Sequence, residues 1–256
     1  MLIYWKTKDF KQLQNLKLKI RFFKEFLSHL YFLFKAETSI KVFLCFIITY
    51  LKKIKNEDKF IDEIYLNSKI NSYDWFSMKI PILKFYLDKC KFPPSINGLE
   101  IGSYEGKSAI FFMKYFDKIK LTCVDTWEGT DEQDSETDFK KIENNFEFNM
   151  SGFKENVIKF KGRSDNFFKL NKDKNFDFIY IDGYHIYETV LDDANSSFKL
   201  LNKGGIILFD DFLWGYYKKN IKLNPIFAIN TFLKNHKNNI EIIYASSQLM
   251  IKKSDI

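Results

Sequence analysis

From residue 96 onward, apolar runs of strand length alternate with stretches of helical period. INGLEI (96–101) is followed by KSAIFFMKYF (107–116), KLTCV (120–124) by DFKKIENNFEF (138–148), and VIKFK occupies 157–161. FDFIYI (176–181) then leads into YETVLDDANSSFKLL (187–201), and GIILF (205–209) into NPIFAINTFLKNH (224–236). This alternation predicts an α/β fold in which a parallel sheet is doubly wound, with helices on both faces. The last two runs, NIEIIYA (239–245) and SQLMIKK (247–253), are parted only by small residues and predict a closing antiparallel hairpin. No internal repeat or low-complexity linker interrupts the pattern, and Pro93 and Pro94 mark the entry to the sheet.

Residues 1–73 follow a different pattern and predict a basic helical N-terminal extension ahead of a sheet domain at 74–256. WKTKDFKQLQNLKLKIRFFKEFLSHLYFLFK mixes lysine with Leu, Ile and Phe at helical spacing, and VFLCFIITYL then runs for ten residues without a charge. A bilayer span needs roughly 20 such residues. No small-residue cleavage site follows, so neither an anchor nor a signal peptide is expected. Two readings remain open. The extension packs on its own domain or on a second subunit of a homo-oligomer, or residues 1–55 form a basic amphipathic helix lying peripherally on an anionic membrane surface.

Composition narrows the classes. A chain of 256 residues that is 46% apolar can bury a full core without staples. Cys45, Cys90 and Cys123 are widely spaced with no CxxC pair, which suits a reducing, cytoplasmic setting and argues against a disulfide framework or a zinc site. The formal net charge is +7, yet Arg21 and Arg163 are the only arginines among 40 basic residues, a bias that weakens the charge as a sign of nucleic-acid binding. The charge is also uneven. Residues 1–55 carry 12 Lys and Arg against 3 Asp and Glu, a net of +9, whereas residues 56–256 carry 28 against 30, a net of −2.

In an open parallel sheet, ligands bind beyond the carboxyl ends of the strands, which makes the residues just after each apolar run the candidates for chemistry. The first run leads into LEIGSYEGKSA, with Glu100, Gly102, Ser103 and Gly106 in an ExGxxxG pattern that opens a helix. The second ends in VDTWEG, with Asp125 and Trp127; the third in KGRSD, with Ser164 and Asp165; the fourth in IDGYH; the fifth in FDDFLW. Gly102 permits a tight turn, Gly106 lets a helix start approach a ligand, and Asp125 can accept both hydroxyls of a ribose. These features suit a nucleoside. They do not suit a dinucleotide, because Glu100 stands where the nicotinamide fingerprint has its first glycine and would repel a pyrophosphate, although it can organise a loop around a cationic ligand.

The glycine loop, Asp125 and the stretch FDFIYIDGYHIYETVLDDANSSFKLLNKGGIILFDDFLW resemble class I S-adenosylmethionine-dependent methyltransferases, which have a Rossmann-like fold, over about residues 74–252. They are most similar to the group containing macrocin O-methyltransferase and the novobiocin-pathway sugar O-methyltransferase, and DWFSMKIP (74–81) is similar to the segment leading into the sheet in that group. The resemblance implies that Glu100, Gly102, Ser103 and Gly106 shape the loop around the methionine part of the cofactor. Asp125 would then hold the ribose, Trp127 would stack on a ring unless it is only a half-buried surface residue, and Ser164 with Asp165 would lie near the adenine.

Asp182 ends the fourth run as Asp210 and Asp211 end the fifth, and neighbouring strands lie about 4.8 Å apart. Three carboxylates converging at one rim call for a hard divalent cation such as Mg²⁺, and the matching aspartates bind Mg²⁺ in the sugar O-methyltransferases that this chain resembles. The plainer alternative has Asp211 capping the next turn while Asp210 faces solvent. Asp182 and His185 are the catalytic candidates, with His185 as general base. Relatives place a second aspartate where this chain has Tyr184, so either His185 carries that role or the substrate differs. The acidic insert TWEGTDEQDSETD (126–138) reads as a lid or substrate loop, or as a solvated surface loop.

The expected activity is O-methylation of a small hydroxylated acceptor, a sugar or glycan precursor, with no nucleic-acid partner. IDGY lacks the proline pair of amino-methylating enzymes. A metal-dependent hydroxylase or hydrolase on the same fold, or a non-catalytic membrane-associated module, are the alternatives.

Overall fold

The computed structural model describes residues 16–52, 54 and 57–254. Seven strands, β1 (Ile96–Ile101), β2 (Ile119–Asp125), β3 (Val157–Lys161), β4 (Phe176–Ile181), β5 (Leu201–Phe209), β6 (Ile240–Ala245) and β7 (Leu249–Lys253), form a single sheet in the order β3-β2-β1-β4-β5-β7-β6. The first five are parallel, and β7 runs antiparallel between β5 and β6, so the C-terminal hairpin closes the sheet by inserting its second strand. Strand order reverses between β1 and β4. Their carboxyl ends therefore diverge into the crevice where open α/β sheets bind ligands.

Both sheet faces are covered, which is why the central strands read as continuous apolar runs. Ile179 and Ile181 of β4 face one hydrophobic cluster with helices α8 (Tyr187–Leu200) and α9 (Pro225–Asn235). Phe178 and Tyr180 face the other, with α4 (Ile80–Leu87), α5 (Lys107–Tyr115) and α6 (Phe139–Met150). One short helix, α7 (Ser164–Leu170), follows β3. The fifth strand starts earlier than its sequence suggests, at Leu201 and not at Gly205. Its pairing with β4 shifts register between Phe176 and Phe178, and Gly204 turns to φ +74° within it.

The described part of the N-terminal extension is built into this body. It comprises α1 (Leu16–Lys35), α2 (Ile40–Leu51) and α3 (Asp58–Ile64). Leu33, Val42 and Phe46 are buried in the same cluster as Ile207 and Phe209 of β5. Asn230 of α9 donates to the carbonyl of Ala36 at 3.1 Å and to Thr38 Oγ1 at 2.7 Å, fastening the turn between the first two helices. Among the described residues, no helix is long and apolar enough to cross a membrane.

Candidate functional site

A cavity of about 410 Å³ opens at the carboxyl ends of β1, β2 and β4, bordered by Gly102, Asp125, Trp127, Ser164, Asp182 and His185. Its floor depends on Gly102, which sits at φ +85° where a Cβ would lie 1.8 Å from the carbonyl oxygen of Asp182. Only glycine lets the first loop pass so close to the end of β4. Gly106 caps α5 at φ +82°, and a Cβ there would press to 3.1 Å on Phe146. Gly102→Ala is expected to separate the ends of β1 and β4, seen as a lowered melting temperature and a loss of nucleoside-ligand affinity in calorimetry.

Asp125 is held by backbone. Its Oδ2 accepts from the Tyr104 amide at 2.8 Å and its Oδ1 from the Trp127 amide at 2.7 Å. Burial raises the carboxyl's pKa while these N–H groups oppose the rise. Each oxygen keeps a second lone pair for a ligand. Trp127 is buried and not a surface residue. Its indole N–H donates to the Tyr104 carbonyl at 2.9 Å and its ring packs on Phe146, so it forms fixed wall.

Glu100 and Ser103 lie beneath the loop, fully buried, and neither lines the cavity. Glu100 accepts from Ser108 Oγ at 2.6 Å, and burial pushes its carboxyl up to about 7. Ser164 borders the cavity together with Gly162 and Arg163, but Asp165 turns to the surface, paired with Lys169 at 2.9 Å and Arg163 at 3.1 Å.

At the rim, the three expected aspartates part company. Asp211 Oδ2 and Asp182 Oδ1 lie 2.9 and 3.4 Å from His185 Nε2. Asp210 instead points into the interior, where it pairs with the Lys79 ammonium and accepts from Gln248 Nε2. Gln248 accepts in turn from Tyr244 at 2.6 Å. Asp210 therefore has a resident cation and stands apart from the rim, while Asp211, at 3.9 Å from Lys79, faces His185. The three groups that share one small volume are Asp182, His185 and Asp211, whose donor atoms all lie within 4.8 Å of one another.

The electrostatics follow from that grouping. Burial, reinforced by Asp210, raises Asp182 well above the usual carboxylate range. Burial would also raise Asp211, but Lys79 and His185 outweigh it and hold this carboxyl below its ordinary value. Burial alone would favour a neutral His185 ring; Asp211, Asp182 and Glu132 overcome it and hold the imidazole protonated well above its usual pKa.

Glu132 comes from the acidic insert, which folds over the rim. It meets His185 Nδ1 at 2.9 Å and accepts from Tyr217 Oη at 2.9 Å, while the neighbouring Asp131 accepts from Tyr184 Oη at 2.7 Å. An aromatic wall stands beside it: the Trp214 ring is 4.7 Å from His185, and Tyr216 stacks on Trp214 at 5.1 Å. Lys79, Glu132 and Gln248 escape the sequence reading. Lys79 sits within the DWFSMKIP stretch and Glu132 within the insert, but nothing in either pattern points to Asp210 or His185.

Residues 99–212, from β1 to the turn after β5, match the family described as "Methyltransferase domain". An uncharacterized protein of Acanthamoeba polyphaga mimivirus is 31% identical over 116 residues, covering 44% of this chain and 50% of the other, so the chain spans about half the length of that curated relative. Among solved structures, the MycE methyltransferase from the mycinamycin biosynthetic pathway, in complex with Mg, SAH and mycinamycin VI, superposes with a TM-score of 0.53 at 14% identity, covering 76% of this chain and 54% of that one. An O-methyltransferase from Bacillus cereus in complex with SAH gives a TM-score of 0.53 at 16% identity, covering 83% and 100%. At these identities the likeness to solved structures is one of fold, and the family match adds that residues 99–212, which hold the strand ends at the cavity and its rim, are similar to a methyltransferase domain.

Proposed function

We propose that the chain is an S-adenosylmethionine-dependent O-methyltransferase of a small hydroxylated molecule, a sugar or glycan precursor, working with a divalent cation. The observation that carries this reading is the continuity of the β1–β2–β4 cavity with the rim of Asp182, His185 and Asp211. A nucleoside pocket and a cluster of two carboxylates and an imidazole thereby share one opening. S-adenosylmethionine supplies an already activated methyl group, so the protein's tasks are alignment and removal of the acceptor's proton.

The residues divide those tasks. Asp125 presents lone pairs for ribose hydroxyls, and Gly102 leaves backbone space for the methionine end. Ser164 offers a hydroxyl at the adenine side, a role that Asp165 does not share because it is occupied at the surface. Asp182, Asp211 and His185 would hold a hard cation, a donor set of two carboxylates and an imidazole that fits one, and the cation would lower the cost of ionising the acceptor hydroxyl. Glu132 accepts from His185 Nδ1 and so directs Nε2 towards the rim, where a cation would displace its proton and take the ring as a ligand. Trp214, with Tyr216 and Tyr217, offers aromatic faces on which the apolar side of a sugar ring can lie.

Calorimetry with S-adenosylmethionine tests the cofactor, and Asp125→Ala tests its position. Loss of a charge-assisted pair of hydrogen bonds should weaken binding roughly 10- to 100-fold. An absence of binding by the unaltered chain, or turnover indifferent to Asp125, would mean that methyl transfer is the wrong chemistry and leave the hydroxylase or hydrolase reading.

A further inference from the structure

Helices α1 and α2 each keep an apolar stripe on the outside. On α1 it consists of Phe23, Leu27, Tyr31 and Phe34; on α2 of Ile40, Leu44, Ile48 and Leu51. All eight are between 46% and 79% exposed. In both helices the spacing is i, i+4, i+8, i+11, which at about 100° per residue confines the four side chains to an arc of roughly 80°. Exposed lysines sit at the same two offsets beside each stripe, Lys24 and Lys35 on α1, and Lys41 and Lys52 on and just after α2.

These stripes are not surplus core. The opposite sides of the helices are already engaged: Leu33, Val42 and Phe46 are buried against the sheet domain, and Phe26 stacks on Tyr50 at 4.3 Å to join the helices to each other. Asn230 pins the turn between them. The outward faces are thus presented by a fixed scaffold.

We propose that this helical pair docks the enzyme peripherally on an anionic lipid surface, with the apolar stripes entering the interface and the lysines meeting headgroups. Charge selects this partner. In sequence the first 55 residues have a net charge of +9 and the remainder −2, and the four exposed lysines beside the stripes belong to that excess. A neighbouring cleft adds to it: Lys35 and Lys41 line it with Lys222, Lys234 and Lys237 of the body, five lysines against three glutamates. A second copy fits less well, because a two-fold interface opposes each surface to itself and would set lysine fringe against lysine fringe. The acidic residues described in the two helices and their turn are only Glu25 and Glu37. With no described helix able to span, the contact is interfacial.

The test is co-sedimentation of the full chain with vesicles of phosphatidylcholine alone, or with about 30% phosphatidylserine, at low and high salt. The unaltered protein is expected to bind the anionic vesicles at least about tenfold more tightly than the neutral ones, and less so as salt rises. Phe34→Ser with Leu44→Ser and Ile48→Ser, and separately Lys24→Glu with Lys35→Glu and Lys41→Glu, should each reduce binding about tenfold or more while circular dichroism and melting temperature stay unchanged. Equal binding to both vesicle types, or none, overturns the proposal. So does a dimer in sedimentation velocity that the serine variant dissolves, which would make the stripes a self-interface. Vesicle binding is read without turnover, so its outcome is independent of the methyl-transfer reading.

Discussion

Asp211→Asn is expected to reduce methyl transfer about 100-fold or more, with melting temperature and S-adenosylmethionine affinity near those of the unaltered chain. Two features of Asp211 argue for so selective an effect. It stands at the rim, with Oδ2 at 2.9 Å from His185 Nε2, and belongs to the Asp182–His185–Asp211 set whose donor atoms converge within 4.8 Å. It is also not part of the hydrogen-bonded interior, because the buried lysine ammonium is bound more closely by Asp210 than by Asp211. The amide keeps the shape of the carboxylate but removes the charge that both a cation and a protonated His185 require. Activity measured across a Mg²⁺ titration checks this. Full activity in EDTA for both proteins would remove the metal from the mechanism, and an unaltered rate in the variant would remove Asp211 from it.

The distinction between Asp210 and Asp211 also shows where sequence reading stops. The strands were legible because both sheet faces are buried, which leaves runs such as GIILF unbroken by polar residues. The crevice was legible because strand ends in such a sheet are where ligands bind, and Gly102, Asp125, Trp127, Ser164, Asp182 and His185 all border one cavity. Direction was not. Consecutive side chains leaving a strand diverge, so two adjacent carboxylates do not share one rim: one descends to Lys79 and Gln248, the other meets His185. The partners that decide between them lie 131 and 38 residues away in the chain, beyond any local pattern. Glu132 was hidden for a related reason, since an insert without periodicity gives no sign of which carboxylate will reach the histidine 53 residues later. In α1 and α2, apolar residues occupy more than one face, and only packing shows which stripe stays outside.

Lys79→Ala is expected to cost about 3–5 kcal/mol of stability, lowering the melting temperature by roughly 10 °C, because it strips a buried carboxylate of its counter-charge. Both members of the pair are almost wholly buried, and Asp210, Asp211 and Asp182 all act to keep Lys79 charged in spite of that burial. Once the ammonium is gone, Asp210 keeps only neutral donors such as Gln248 Nε2 and the Tyr180 hydroxyl, and neutral hydrogen bonds do not compensate a buried negative charge. A second substitution separates charge from packing. Lys79→Met with Asp210→Asn fills the same space, leaves an amide oxygen to accept from Gln248 and places no net charge in the interior, so most of the lost stability should return. Thermal melts of the two single variants and the double variant measure the coupling directly. If the single losses simply add in the double variant, the pair is not interacting and Asp210 has some other counter-charge. If the double variant recovers, Asp210 is a structural anion neutralised from within the fold, and Asp211 alone of the two adjacent aspartates is free to serve the site.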